Sequence, residues 1–144
     1  MDVKELGEKL NSLKSSIRNI LEDTGKLKYD EIEVTSDKSN PEEQFLLDQY
    51  KEIVRSLSNA YSTLKYLEKP ISREGTLAKN ESGRYEIDYY TEFTSGSSIE
   101  FLNYDKYDEC EKWIAARVEH TDGDYYIYGY KNVKLEGLKV RTRR

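Results

Sequence analysis

Cysteine and histidine are nearly absent: the 144-residue chain holds one of each, Cys110 and His120. A lone cysteine excludes an internal disulfide and suits a reducing compartment. One histidine and one cysteine also exclude zinc sites built from those ligands. Proline occurs only at positions 41 and 70, and no apolar run approaches the ~18 residues of a membrane span. Phosphate-cradling loops of the Gly-x-x-x-x-Gly-Lys or Gly-x-Gly-x-x-Gly kind are missing. Met1 opens on a polar helical pattern with no signal peptide. The expectation is a soluble, cytoplasmic protein without membrane, metal or cofactor.

Catalysis has little to stand on. Cys110 and His120 are the one candidate nucleophile–base pair. Cys110 lies in the acidic run Asp108-Glu109-Cys110-Glu111, surroundings unlike the electropositive ones that activate a nucleophilic cysteine. Asp105, Asp108, Glu109 and Glu111 lack the central glycine of an EF-hand loop. No other carboxylate spacing demands acid–base work. The chain reads as a non-enzyme, with no catalytic residue to name.

Hydrophobic residues make up 36% of the chain, below the ~45–50% of typical globular domains, although that figure counts glycine. The 13 tyrosines compensate, because each buries a large ring and keeps a polar tip. The net charge of −5 gives no general pull toward nucleic acid. Its distribution is uneven. Residues 22–43 hold eight acids against three lysines, and residues 100–111 hold five against Lys106. The end of the chain, Lys131 to Arg144, holds six bases against Glu136.

The first half is helical in pattern. Val3, Leu6, Leu10, Leu13, Ile17 and Ile20 recur at alternating intervals of three and four, a narrow stripe of the coiled-coil kind. Asp2 and Glu5 form a plausible capping box, so a helix is expected over residues 2–21. An acidic linker, 22–40, follows. Asn40 and Pro41 then open a second helix over 41–68, with Glu42 and Glu43 at the positive end of its dipole. Leu46, Tyr50, Ile53, Leu57, Ala60, Leu64 and Leu67 repeat the same spacing, and Leu47, Val54 and Tyr61 widen the stripe. Neither helix is stable alone in water. The expected first domain, residues 1–70, is an antiparallel α-helical hairpin in which the stripes pack on each other; self-association through them is the other use.

After Pro70 the apolar pattern alternates. Strand candidates are Gly75–Lys79, Gly83–Tyr89, Ser98–Asn103, the arms Trp113–His120 and Asp124–Tyr130, and Leu138–Arg143. Asp122-Gly123 between the two arms is a strong hairpin signal, because a type I′ turn needs positive φ at both central residues. A two-residue loop there sets Val118 against Ile127, Glu119 against Tyr126, and Arg117 against Tyr128. One face then carries Ile114, Val118 and Ile127; the other carries Trp113, Arg117, Tyr126, Tyr128 and Tyr130. Short strands at this density suggest a small SH3-like antiparallel β-barrel over residues 71–144, with a small sandwich as the alternative. The fold class expected for the chain is α+β.

Gly83-Arg84-Tyr85-Glu86-Ile87, Thr94-Ser95-Gly96-Ser97-Ser98-Ile99-Glu100, and Trp113-Ile114 with Arg117-Val118-Glu119-His120 form one pattern. With Tyr125-Tyr126, Gly137-Leu138 and Val140-Arg141-Thr142-Arg143, this pattern resembles the DUF5348 domains over residues 75–144. The resemblance implies a small all-β domain of unknown function, found in Firmicutes and often linked to plasmids, phages and integrative elements. It implies no catalytic residue.

Two surfaces are candidates for contact with another macromolecule. Arg117, Tyr126, Tyr128 and Tyr130 can stabilise a sheet face, or grip a protein. Taken with Lys139, Arg141, Arg143 and Arg144, Arg117 and Tyr128 give a nucleic-acid alternative, in which stacking and local positive charge hold a strand. That second domain nets −2, so attraction to phosphate has to be local. The acidic set Asp30, Glu31, Glu33, Asp105, Asp108 and Glu109 suggests instead an insert for a basic groove. The resemblance and the charge pattern together raise a mobile-element accessory protein that inhibits a host defence nuclease, as anti-CRISPR proteins do. A protein partner is the favoured expectation, and nucleic acid the alternative.

Overall fold

In the computed structural model, which describes Met1–Arg144, the chain starts a helix where its first acids cap one. Helix α1 (Val3–Ser12) carries a capping box: the Glu5 amide donates to Asp2 Oδ1 (2.8 Å), and the Asp2 amide donates to Glu5 Oε2 (3.0 Å). The stripe predicts a helix unbroken to residue 21, but it breaks at Leu13 (φ −81°, ψ −15°). The Ser12 hydroxyl donates back to the Lys9 carbonyl (2.6 Å) just before the break. The Leu13 amide also reaches the Leu10 carbonyl (3.2 Å), tightening that turn. Helix α2 (Lys14–Asp23) continues beyond the bend.

Residues 24–40 fold back along α2. Gly25, at φ 74°, closes the helix in a left-handed conformation that a side chain resists, and the Glu33 amide donates to the Thr24 carbonyl (2.8 Å). Asn40 Oδ1 then accepts from the amides of Glu42 (3.1 Å) and Glu43 (3.2 Å), capping α3 (Pro41–Glu68). Its 28 residues span about 42 Å. Helices α2 and α3 run antiparallel, with Lys14 ion-paired to Glu68 at one end. Lys26 and Ile32 share a surface cleft with Lys51 and Arg55 at the other.

This N-terminal unit, Met1–Glu68, has a thin core. Ile17, Leu21 and Val54 are buried, with Ile32, Leu57, Tyr61 and Leu64 packed around them. The stripes meet in part: Ile17, Leu57 and Leu64 reach the seam together with the widening residues Val54 and Tyr61. Val3, Leu6, Leu10, Leu13 and Ile20, with Leu46, Tyr50, Ile53 and Leu67, all remain 36–89% exposed. Leu21 on α2 and Val54 and Tyr61 on α3 complete that seam. Each is one residue, or about 100° of helix, beyond a stripe position.

The C-terminal unit, Lys69–Arg144, is built from antiparallel strands. They are β1 (Ile71–Thr76), β2 (Ala78–Lys79), β3 (Tyr85–Glu86), β4 (Glu92–Phe93), β5 (Ser98–Asp105), β6 (Cys110–Thr121), β7 (Asp124–Ile127) and β8 (Lys139–Arg143). One sheet has the order β1-β8-β5-β6-β7 and the other β2-β3-β4. Leu77, Tyr85, Phe93, Ile99, Phe101, Val118, Ile127, Leu135 and Val140 form a single core between them. β1 pairs only with β8 and β7 only with β6, so the five-stranded sheet stays open and the expected closed barrel is not formed. The architecture is α+β, a bent helix pair followed by antiparallel sheets.

The strand expected over Gly83–Tyr89 is cut short. Asp88 Oδ1 accepts from the amides of Tyr90 (2.8 Å) and Thr91 (2.6 Å), turning the chain into β4 and leaving Tyr89 and Tyr90 over 90% exposed. No helix in the structure is long and apolar enough to cross a membrane.

Candidate macromolecule-binding face

The β6–β7 hairpin has the register that its turn chemistry dictates. Asp122 (φ 50°) and Gly123 (φ 86°) occupy the turn, and Val118 pairs with Ile127, Glu119 with Tyr126, and His120 with Tyr125. The Tyr128 amide extends the pairing by donating to the Arg117 carbonyl (2.9 Å). Alternation along the strands does the rest. Val118 and Ile127 enter the core, while Trp113, Arg117, Glu119 and Tyr126 share the opposite face.

Three cation–aromatic stacks line that outer face. The Arg117 guanidinium lies 4.1 Å from the Tyr128 ring centroid, Lys131 Nζ 5.3 Å from that of Tyr126, and the Arg141 guanidinium 4.2 Å from that of Trp113. Arg117 Nε also donates to Glu119 (2.7 Å), which accepts from the Ser95 hydroxyl at 2.5 Å. The Ser95 bond, assisted by Arg117 and opposed by burial, holds the Glu119 carboxyl below the ordinary range. Arg117 and Tyr128 remain about half exposed, available to a partner.

Tyr130 is not part of this face. Gly129, at φ 81°, reverses the chain, the Tyr130 amide donates to the Ile127 carbonyl (2.9 Å), and the Tyr130 ring meets the buried Phe101 ring edge-on at 5.1 Å. Simple alternation carried beyond the last paired residue placed it wrongly.

The feature that local pattern did not reveal is a buried charge cluster beside the stacks. Glu100, 5% exposed, lies opposite Ala115 on β6 and Arg141 on β8. Its Oε1 accepts from Arg141 Nη2 (2.9 Å) and Nε (3.2 Å), and its Oε2 accepts from Arg143 Nε (2.7 Å). Burial pushes the Glu100 carboxyl up, but the hydrogen bonds and charges of the two arginines outweigh it, so its pKa lies below the ordinary value. The available signal was Glu100 between Ile99 and Phe101, and Arg141 and Arg143 flanking Thr142 after Val140: charges at alternate positions of strands with an apolar inner face. Only the non-local pairing of β5 with β8 shows that they meet.

The nucleic-acid set is therefore largely engaged within the fold. Arg141 and Arg143 serve Glu100, Arg117 serves Glu119, and Lys139 pairs with Glu74 at 3.7 Å. The Arg144 amide donates to the Pro70 carbonyl (3.2 Å), and its side chain is exposed.

The acidic set is split between the two units. Asp105 and Asp108 close the β5–β6 turn. Asp105 accepts from Lys112 (3.0 Å) and from the amides of Tyr107 (2.8 Å) and Asp108 (3.1 Å), and Lys112 also pairs with Asp108. The Lys112 bond, then the two amides, hold the Asp105 carboxyl low; Asp108 and Asp105 in turn raise the Lys112 pKa. Glu109 occupies the left-handed region at φ 52°. In the N-terminal unit, Asp30 pairs with Lys26 (3.6 Å), while Glu31 and Glu33 are exposed. Cys110 and His120 stand ten residues apart on one strand, about 33 Å, and form no pair. His120 instead meets Tyr125 edge-on at 4.6 Å.

No curated protein and no solved structure matches the chain. Residues 75–142 match the family described as "Domain of unknown function (DUF5348)". With that match spanning the strands, the hairpin and the charge cluster just described, the C-terminal unit is identified as a DUF5348 domain.

Proposed function

We propose that the protein acts by binding another macromolecule rather than by catalysis, and that its partner is a protein held on the outer face of β5–β6–β7–β8. The observation that carries this reading is the state of the charges there. Arg117, Arg141 and Arg143 are each matched by a carboxylate within 3 Å, so the face offers aromatic area and directed polar groups with little surplus positive charge. Nucleic-acid affinity depends on neutralising phosphates and releasing counterions, and a face already neutralised supplies little of that term. Half-exposed aromatic rings stiffened by stacked arginines suit a protein contact, where aromatic and arginine side chains dominate the binding energy.

The test compares affinity capture from the native host by the wild-type chain and by Arg117→Ala/Tyr128→Ala. The expected result is one specific protein recovered by the wild type and lost with the double variant. Recovery unchanged by the variant overturns the assignment of the face. Binding of wild-type chain to single- or double-stranded oligonucleotides at ~50 mM salt, lost steeply as salt rises, favours nucleic acid instead.

The acidic-inhibitor form of the proposal is supported by Glu31, Glu33 and Glu109, which are exposed and form no ion pair in the structure. Charge reversal at these three positions abolishes capture if that form holds and leaves it intact if the sheet face is the contact.

A further inference from the structure

The N-terminal unit exposes more large apolar side chains than it buries, and the exposed ones are ordered. Leu46, Tyr50 and Ile53 on α3 are 36–54% exposed, and they continue along the same helix into Ala60 and Leu67. We propose that a second copy of this chain covers that stripe, with the two α3 helices antiparallel about a two-fold axis near residue 55.

Two observations select a second copy. The first is spacing. Leu46, Tyr50, Ile53, Leu57, Ala60 and Leu64 alternate by four and three, and knobs-into-holes packing requires a facing helix with the same repeat, which a copy supplies. With the axis at residue 55, Ile53 faces Leu57 of the second copy, Tyr50 faces Ala60, and Leu46 faces Leu64. Each layer joins the two kinds of stripe position, as antiparallel helices require. Leu64 and Leu67 line a cleft with Gly7 and Leu10 of α1, and Leu46 of the second copy arrives at its mouth.

The second observation is charge. The first half of α3, Pro41–Val54, carries four acids and one lysine; the second half, Arg55–Glu68, carries Arg55 and Lys65 against Glu68. Antiparallel self-pairing sets the acidic half of each helix beside the basic half of the other, whereas parallel pairing sets like against like. Between Ile53 and Leu64 the only charge is Arg55, so no repulsion falls on the axis.

This inference rests on the helical unit alone and stands apart from the sheet-face reading.

The full-length chain tests it. Sedimentation at micromolar concentration is expected to give about twice the 16.9 kDa of one chain, and a monomer overturns the proposal. The register is tested in a Cys110→Ser background, with Tyr50→Cys and Ala60→Cys placed on separate chains. A short bifunctional maleimide is expected to link the two variants when mixed. It should link neither to itself, because like positions lie about 15 Å apart along the antiparallel pair. Any other crosslinking pattern overturns the proposed register. Both positions are exposed in one protomer, so neither exchange opens a cavity in its core.

Discussion

The two units solve the same problem with opposite success. Among the largest side chains withdrawn from water, Phe101, Leu77, Ile99, Ile127, Val118 and Val140 belong to the C-terminal unit, and only Leu21 belongs to the N-terminal one. The C-terminal unit closes its core with two sheets. The N-terminal unit has regular helices, a capping box and a clean apolar repeat, yet most of that repeat faces solvent. Regular secondary structure and a finished core are therefore separate achievements. A helix pair of this length contributes one seam, and a second seam needs another layer.

The comparison is broken most directly by hollowing each core. Phe101→Ala removes the centre of a nine-residue cluster and is expected to cost about 3–5 kcal/mol; Leu21→Ala is expected to cost about 2–5 kcal/mol. The consequences differ even where the costs overlap. Trp113, the only tryptophan, reports the β unit by fluorescence, and far-UV ellipticity reports the helices. Leu21→Ala should abolish the helical transition in urea while leaving the tryptophan transition in place, because Leu21 is the one fully withdrawn side chain of its unit. Phe101→Ala should lower the midpoint of the tryptophan transition. If Leu21→Ala shifts both transitions equally, the contrast between the units does not hold.

Next in size is Glu100→Gln. It leaves Arg141 and Arg143 largely buried with their carboxylate gone, a change expected to cost about 3 kcal/mol in the tryptophan transition. The sign of the pH dependence follows from the lowered pKa. Glu100 contributes its stability in full above the unfolded carboxyl value, about 4.3, and loses it as pH falls through the lower folded value. Acid titration of the wild type should show this loss, and Glu100→Gln should flatten that part of the curve. A smaller effect is expected at Gly75, where an added Cβ falls 3.1 Å from the Ile87 carbonyl oxygen. Gly75→Ala should destabilise the β unit by about 1 kcal/mol, read from the same urea midpoint.

What was legible in the sequence was local. Asp2 with Glu5, Asn40 with Pro41, and Asp122 with Gly123 each fix their own few residues, so the helix starts and the hairpin register could be read directly. The heptad spacing, widened by Val54 and Tyr61, correctly named helices and part of their buried side, but Leu21 lies beside the stripe and most stripe positions stay exposed. The break at Leu13, where its amide tightens onto the Leu10 carbonyl, is not encoded by apolar periodicity. Sheet order was beyond reach for a related reason. The β1–β8 and β8–β5 pairs join residues dozens of positions apart, and the open sheet, like the Glu100 cluster, exists only through those pairs. Of the candidate site, Arg117, Tyr126 and Tyr128 emerged from alternation on the hairpin. Tyr130 was lost to the turn at Gly129, and Arg141 and Arg143 were found as bases without their acid.

The smallest effect sharpens the comparison at the site itself. Arg117 and Tyr128 stack at the surface of the unit with the finished core, so their contact is not needed to hold that core together. A double-mutant cycle over Arg117→Ala and Tyr128→Ala, read from the tryptophan transition, should give a coupling of about 0.5–1 kcal/mol, the range for exposed cation–aromatic pairs. Glu119 must be carried through the cycle as Glu119→Gln, because Arg117 also bonds its carboxylate at 2.7 Å and the two interactions are otherwise read as one. A coupling near 3 kcal/mol would make the stack a structural element of the hairpin and remove the main reason to read it as a binding surface. A coupling within the expected range leaves most of the stability elsewhere in the unit, and the half-exposed pair is then free to contribute its aromatic area and its donors to a partner.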